Sequence, residues 1–282
     1  MSGDAEFQLA AGQQDHSLVI QHADLLIPLA ARYARWLGLP VEASADIAEK
    51  HPESVRAMPL ILRLEREAVP SRTALLEAAA SAALVLCLDE RARPGGPWHS
   101  EVAPWVAGRI RKVTRRARGA HWAAVTDLPG ITIEHCGAEV RALLPWRLPD
   151  TPRVVTRLQV GGTDVPPDDP GSPPVGLPVL WFPPELVMTV GKAAAQAGHA
   201  TMLLASLLAA EGRLAELGCW AAHGYRCAVR TASRTQWAAL ATAAGEQPDR
   251  AWREHGVLAV RDAGFTEVPP GTITVAAQRP HR

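Results

Sequence analysis

Two short segments hold the side chains best suited to chemistry. In Gly191-Lys-Ala-Ala-Ala-Gln-Ala-Gly-His-Ala200, Lys192, Gln196 and His199 fall at i, i+4 and i+7. At about 100° per residue they share one face of a helix. A lysine in the first turn opposes the helix macrodipole, which favours anions there. The placement makes sense where an anion or a polar substrate meets the helix N-terminus, whose free amides already point outward. The same lysine also reads as a solvated cation beside a glycine, and Gln196 and His199 taken singly read as hydrogen-bonded core residues. The Gly191-Lys192 pair is not a phosphate-binding P-loop: Leu186 and Ala193 stand where that motif needs a glycine and a hydroxyl residue. The second segment, Asp262-Ala-Gly-Phe-Thr266 before Pro-Pro-Gly-Thr, follows an apolar run. Strand ends in α/β sheets are where sites are usually built. An aspartate before Ala-Gly serves equally as a turn residue that caps its own backbone.

The elements that must position these groups follow from the surrounding pattern. Residues 179–182 form a short apolar strand. Residues 191–210 form a helix that is apolar on most sides and hence buried. Residues 225–230, 256–261 and 272–277 read as strands, and 233–244 as a second helix with Ser233 as its N-cap. Pro270-Gly271 fits the centre of a type II turn. Strands alternating with helices over about 100 residues imply a layered α/β domain. Upstream, the Pro/Gly/Asp-rich stretch 166–177 reads as a linker. It divides an N-terminal domain, 19–165, from a C-terminal one, 178–282. Residues 1–18 read as a disordered tail, and 18–38 have helical spacing that ends in Gly-Leu-Pro.

Lys+Arg and Asp+Glu balance at 29 each. Bulk charge alone therefore does not hold the chain to nucleic acid, although a local basic patch is compatible with that balance. The polar start shows no basic region followed by an apolar core, so no secretory leader is expected. The apolar run at 78–88 is too short to span a bilayer. The four cysteines form no CxxC pair and no metal-ligand spacing. They read as reduced thiols in a cytoplasmic protein without membrane, metal or cofactor. Lysine is rare: Lys50, Lys112 and Lys192 are the only three among 29 basic residues. In a chain that otherwise uses arginine, a lysine suggests a place that wants an ammonium, and this marks Lys192.

Met188, Gly191-Lys192, Ala194-Ala195-Gln196, His199-Ala200, Asp262-Ala263-Gly264, Thr266 and Pro270-Gly271-Thr272 stand in one order. From about residue 179 to the end, this resembles the type-2 peptidyl-tRNA hydrolase family. The resemblance implies a small mixed sheet covered by helices on both faces. It also implies that Lys192, Asp262 and Thr266 are catalytic with His199 in support, and that Gly191, Gln196 and Gly264 contact substrate. The family's usual Arg and Asp at the end of the first strand appear here as Pro183 and Glu185. On this reading the chain cleaves the ester between a peptide and the 3′ end of tRNA. Hydrolysis needs a positioned water, a base and a donor for developing negative charge. Asp262, Lys192 and Thr266 supply those types. The alternatives are a non-catalytic tRNA- or ribosome-associated module that kept the fold, and a hydrolase for a different aminoacyl or peptidyl ester.

The N-terminal half can be laid over the C-terminal one at an offset of 115 to 120 residues. Residues 60–63 then match the first strand, 70–88 the first helix, 109–114 the strand at 225–229 and 121–125 the second helix. Residues 139–144 fall where 258–263 lie, and 153–160 supply a last strand. On this overlay Arg72, Ala79 and Leu143 replace Lys192, His199 and Asp262. The first copy is then inert, and the chain is a monomeric pseudo-dimer or a homodimer. The other reading is of two unrelated α/β segments that share Ala-rich helices. The run 109–118 is the densest positive patch, and Arg115, Arg116 and Arg118 are expected to meet tRNA phosphates.

Overall fold

The computed structural model describes residues 23–31, 52–161 and 165–280. The expected tail at 1–18 lies outside them. Of the helical spacing at 18–38, the described part is a 3₁₀ turn at Asp24–Leu26 running into helical Ile27–Leu29.

The first sheet has β1 (Met58–Arg63) at its centre. Every residue from Met58 to Leu62 is buried, because helices cover both faces of that strand. Helix α1 (Arg72–Leu88) follows, with the Ser71 side chain accepting from the Ala74 amide as its N-cap. Next come α2 (His99–Ala107), β2 (Lys112–Ala117) parallel to β1, and α3 (Gly119–Thr126). β3 (Gly130–His135) and β4 (Ala138–Leu143) form a hairpin, and the single helical turn α4 (Arg153–Thr156) closes the unit. The hairpin turns through Cys136 and Gly137, both at positive φ (48° and 76°), as a type I′ turn requires. Strand order is β2-β1-β4-β3.

The second sheet repeats that order as β6-β5-β8-β7. β5 (Val179–Phe182) is parallel to β6 (Ala228–Thr231) and antiparallel to β8 (Ile273–Gln278), and β8 is antiparallel to β7 (Val257–Arg261). Its helices are α5 (Val190–Ala210), α6 (Leu214–Ala222), α7 (Arg234–Glu246) and α8 (Pro248–His255). The likeness of the two units reaches single bonds. Trp105 Nε1–H donates to the Arg111 carbonyl at 2.9 Å, and Trp220 Nε1–H to the Arg226 carbonyl at 2.7 Å. Each bond brackets a non-glycine residue at positive φ, Ile110 at 45° and Tyr225 at 55°.

Beyond α3 the sequence overlay fails. Residues 139–143 belong to β4, whose counterpart is the last strand β8 rather than β7. The expected last strand at 153–160 is instead a helical turn. Its Val155, with Leu158 beyond it, covers the outer face of the first sheet together with Trp122 and Val125. The slip arises because the second unit has two insertions, α8 and the long connection from Asp262 to Thr272. At the latter place the first unit has only its two-residue turn.

Helices α1 and α5 lie back to back between the two sheets, while α7 and α8 pack on β7 and β8. One core runs from Leu60 and Leu62 through both central helices to Ala276 and Ala277. Ile61 points the other way, into the small core under α3, as strand alternation requires. Alanines let the two helices cross closely: a Cβ at Gly198 would stand 3.0 Å from Ala83 Cβ. The Thr201 hydroxyl donates across the crossing to the Ala80 carbonyl at 2.8 Å. Helix α5 is long and apolar enough to cross a membrane by length and composition, but 83% of its most apolar window is buried here. The proline-rich connection is tied down. Asp168 accepts from the Thr73 amide and hydroxyl at the start of α1, and Arg72 donates to the carbonyls of Val165 and Met188. A carboxylate at a helix N-terminus is favourable.

Candidate active site

Thr189 caps α5 by accepting from the Lys192 amide at 3.2 Å, which places Lys192 in the first helical turn. The Thr189 hydroxyl and amide donate in turn to Glu267, at 2.7 and 3.0 Å. This fastens the connection between β7 and β8 onto the helix N-terminus with a negative charge. Asp262 leaves β7 at the root of that connection, held by Asp262 N–H to the Thr272 carbonyl and Gly271 N–H to the Asp262 carbonyl. Gly264 has φ +78°, and a Cβ on it would stand 2.6 Å from Pro270, so the loop needs glycine there.

These constraints converge on the Asp262 carboxylate. Its Oδ1 accepts from the Gly264 amide at 2.7 Å. Its Oδ2 accepts from Lys192 Nζ at 2.5 Å and from Gln196 Nε2 at 2.7 Å. Gln196 is oriented by the Thr274 hydroxyl, which donates to its Oε1 at 2.6 Å. A carboxylate has about four acceptor positions, so three protein donors leave room for one water. Lys192 Nζ also donates to Thr266 Oγ1 at 3.2 Å. An ammonium has three protons, and these two bonds leave the third for substrate. One turn along the helix, His199 Nδ1 lies 3.2 Å from Lys112 Nζ on β2. Burial, with the charges of Lys112 and Lys192, holds the imidazole well below its usual range, so the ring is neutral.

These groups line one cavity of about 410 Å³. One wall is the α5 face with the Asp262–Thr266 loop. The other is the first unit: Arg109, Ile110, Arg111, Lys112 and Thr114. Phe265, 61% exposed, stands at the mouth, with the Arg111 and Arg109 guanidiniums 4.8 and 5.7 Å from its ring centre.

Lys192, Gln196, His199, Asp262 and Thr266 are thus brought together, with Gly264 holding the loop. Gly191 faces the first unit, where the Thr114 hydroxyl donates to its carbonyl at 2.8 Å. Arg115, Arg116 and Arg118 do not line the cavity. Arg115 donates to the carbonyls of Thr156 and Leu158, and Arg116 to Gln159, which ties both to that segment. Arg118 sits exposed before α3. Pro183 and Glu185 also lie off the cavity, Glu185 in an exposed ion pair with Arg234. Thr274 and the first-unit wall were missed. A threonine in a strand carries no signal of its own, and the rarity of lysine, which points to Lys192, applies equally to Lys112. Among the described residues no group of three or more His, Cys, Asp or Glu is arranged to hold a metal ion.

The second α/β unit, a mixed sheet flanked by helices, thus carries a Lys–Asp–Thr cluster at a helix N-terminus. Residues 179–282 match the family model described as peptidyl-tRNA hydrolase PTH2. The C-terminal unit therefore carries a domain similar to that family. No curated protein and no solved structure matches the chain.

Proposed function

We propose that the chain hydrolyses the ester joining a peptide, or another N-blocked aminoacyl group, to the 3′ end of tRNA. The observation that carries the reading is the Lys192–Asp262–Thr266 cluster at the N-terminus of α5, inside a domain similar to the peptidyl-tRNA hydrolases. Asp262, fixed by three donors, orients the attacking water through its remaining acceptor position. The spare proton of Lys192 meets the oxyanion that develops on the ester carbonyl. Thr266, accepting from Lys192, has its own proton free for the water or the ribose. The exposed Phe265 ring beside two guanidiniums has the chemistry that receives an unstacked nucleobase and its phosphate. The first unit, on this reading, is a degenerate copy whose catalytic loop has been cut back to a hairpin. With the N-caps Ser71 and Thr189 aligned, Ala74, Ala78 and Ser81 stand opposite Lys192, Gln196 and His199.

The direct test is release of peptide from N-acetylaminoacyl-tRNA by the purified full-length chain. Turnover is expected. Binding of that tRNA without turnover would favour the non-catalytic module, for which the loss of the family arginine at Pro183 speaks.

A second expectation concerns tRNA affinity. Replacing Arg109 and Arg111 by glutamine should raise KM and flatten its salt dependence by about one phosphate contact for each arginine that meets a phosphate. Replacing Arg115 and Arg116 should instead loosen the 156–159 segment and leave the salt slope unchanged. Measuring KM across a salt series separates the two.

A further inference from the structure

Lys112 has no place in the chemistry described so far, yet it is housed with care. Its ammonium lies at the inner wall of the cavity, 3.2 Å from His199 Nδ1 and 3.3 Å from the Ile110 carbonyl. Trp105 presents its ring 5.1 Å from Nζ. Its stem runs over Gly198, where a Cβ would stand 3.0 Å from Lys112 Cε and 3.3 Å from Cδ. Any larger residue at 198 would push the lysine away. Burial pulls its pKa down to about 7, a cost that a purely structural contact does not need. The matching junction on the other side of the molecule does without it. There Ser81 on α1 donates straight to the Tyr225 carbonyl at 3.1 Å, with Cys227 in the position of Lys112. The lysine is present only where the Asp262 loop is present.

The charge state of Lys112 selects the tautomer of His199. While Lys112 is an ammonium it has donors only, so Nδ1 accepts at 3.2 Å and the ring proton sits on Nε2. No described residue bonds His199 Nε2, and the residue lines the cavity beside Lys192 and Gln196. We propose that Lys112, supplied by the first unit, is a positioning residue of the active site. It locks His199 as the neutral Nε2–H form, so that Nε2–H donates to the oxygens of the bound ester or its ribose. The proposal rests on the hydrolase reading, and it gives the first unit a share in the chemistry: the second unit alone holds the Lys–Asp–Thr cluster but cannot set its histidine.

The test has two arms on the full-length chain. Nitrogen-15 imidazole NMR reads the tautomer directly, without substrate. Wild type should show His199 protonated at Nε2 and bare at Nδ1. Lys112→Met should lose that preference, while Lys112→Gln, which keeps an N–H donor, should retain it. In the kinetic arm, Lys112→Met should lower kcat about tenfold or more, part of the 10²–10³ that a lost transition-state donor commonly costs. KM should change little. In a His199→Ala background the same substitution should cost nothing further, because the lysine acts through the ring. Nδ1 protonated in wild type, an unaltered tautomer in Lys112→Met, or an equal loss of kcat in the His199→Ala background would each overturn the proposal. If the wild type binds tRNA but releases no peptide, the hydrolase reading fails. The tautomer arm then still decides whether Lys112 sets His199.

Discussion

Asp262→Asn should lower peptide release by about 10²–10³-fold, the loss usual for one preorganised charged contact to a transition state. The asparagine keeps the shape, so the loop stays seated, but it loses the negative charge that both Lys192 and Gln196 address. Its amide then competes with Lys192 as a donor, and the position left for water is no longer purely accepting. Lys192→Ala should cost a similar factor by removing the oxyanion donor and the bond to Thr266. Combining the two should cost little more than the worse single change, because residues that act as one unit are strongly non-additive. Both side chains are 8% exposed. Removing one partner of a buried pair is destabilising, so rates are to be taken well below each variant's melting temperature and normalised to folded protein. Near-wild-type kcat in both variants would refute the site. Fully additive losses would show that lysine and aspartate work apart.

How far the sequence discloses this site depends on where each partner lies along the chain. Lys192, Gln196 and His199 are legible because helical geometry alone puts them on one face. Asp262 is legible because it ends an apolar strand. Their meeting, across 66 to 70 residues, is not contained in either segment. It comes from β5 and β8 pairing side by side. Lys112 is remoter still, 87 residues from His199, and reaches it only because α5 packs across the edge strand of the other unit. Helix α8 carries both its boundary signals, Pro248 at its start and Gly256 in the left-handed conformation at its end. Its polar composition hides it between them. The β3–β4 hairpin is obscured for a different reason. Its turn is Cys-Gly rather than Asn-Gly, so a cysteine stands at φ 48° where no sequence rule places one. Missing that hairpin moves every later strand of the first unit one place along, which is why 153–160 was read as a strand.

Glu77→Ala should destabilise the whole chain by about 3–5 kcal/mol, the cost of leaving a buried charge without its partner. Glu77 sits on α1 at the matching junction on the other side of the molecule, which holds an ion cluster. Its Oε1 accepts from the Val229 amide at 2.8 Å and from Arg230 at 3.1 Å, both on β6 of the other unit. His135, beside the hairpin turn, lies 2.8 Å from its Oε2. Arg226 approaches His135 Nδ1 at 3.0 Å and can only donate, so the ring donates to Glu77 from Nε2. One carboxylate thereby ties α1, the hairpin and β6 together. Arg230 and Glu77 are each 9% exposed, so alanine at 77 strands a guanidinium and an amide away from water. With total stabilities of about 5–15 kcal/mol for ordinary domains, such a loss should move the urea midpoint far down. Glu77→Met with Arg230→Met should recover much of it, since apolar replacement of a whole buried pair is often neutral or better. The single variant should unfold both units in one transition, because the cluster and the α1–α5 crossing belong to a shared core. If the first unit melts alone while tryptophans of the second, such as Trp220 and Trp252, stay buried, the units are independent and the active-site wall is only loosely held. If Glu77→Ala melts like the wild type, the cluster carries no weight, and the α1–α5 packing alone joins the halves.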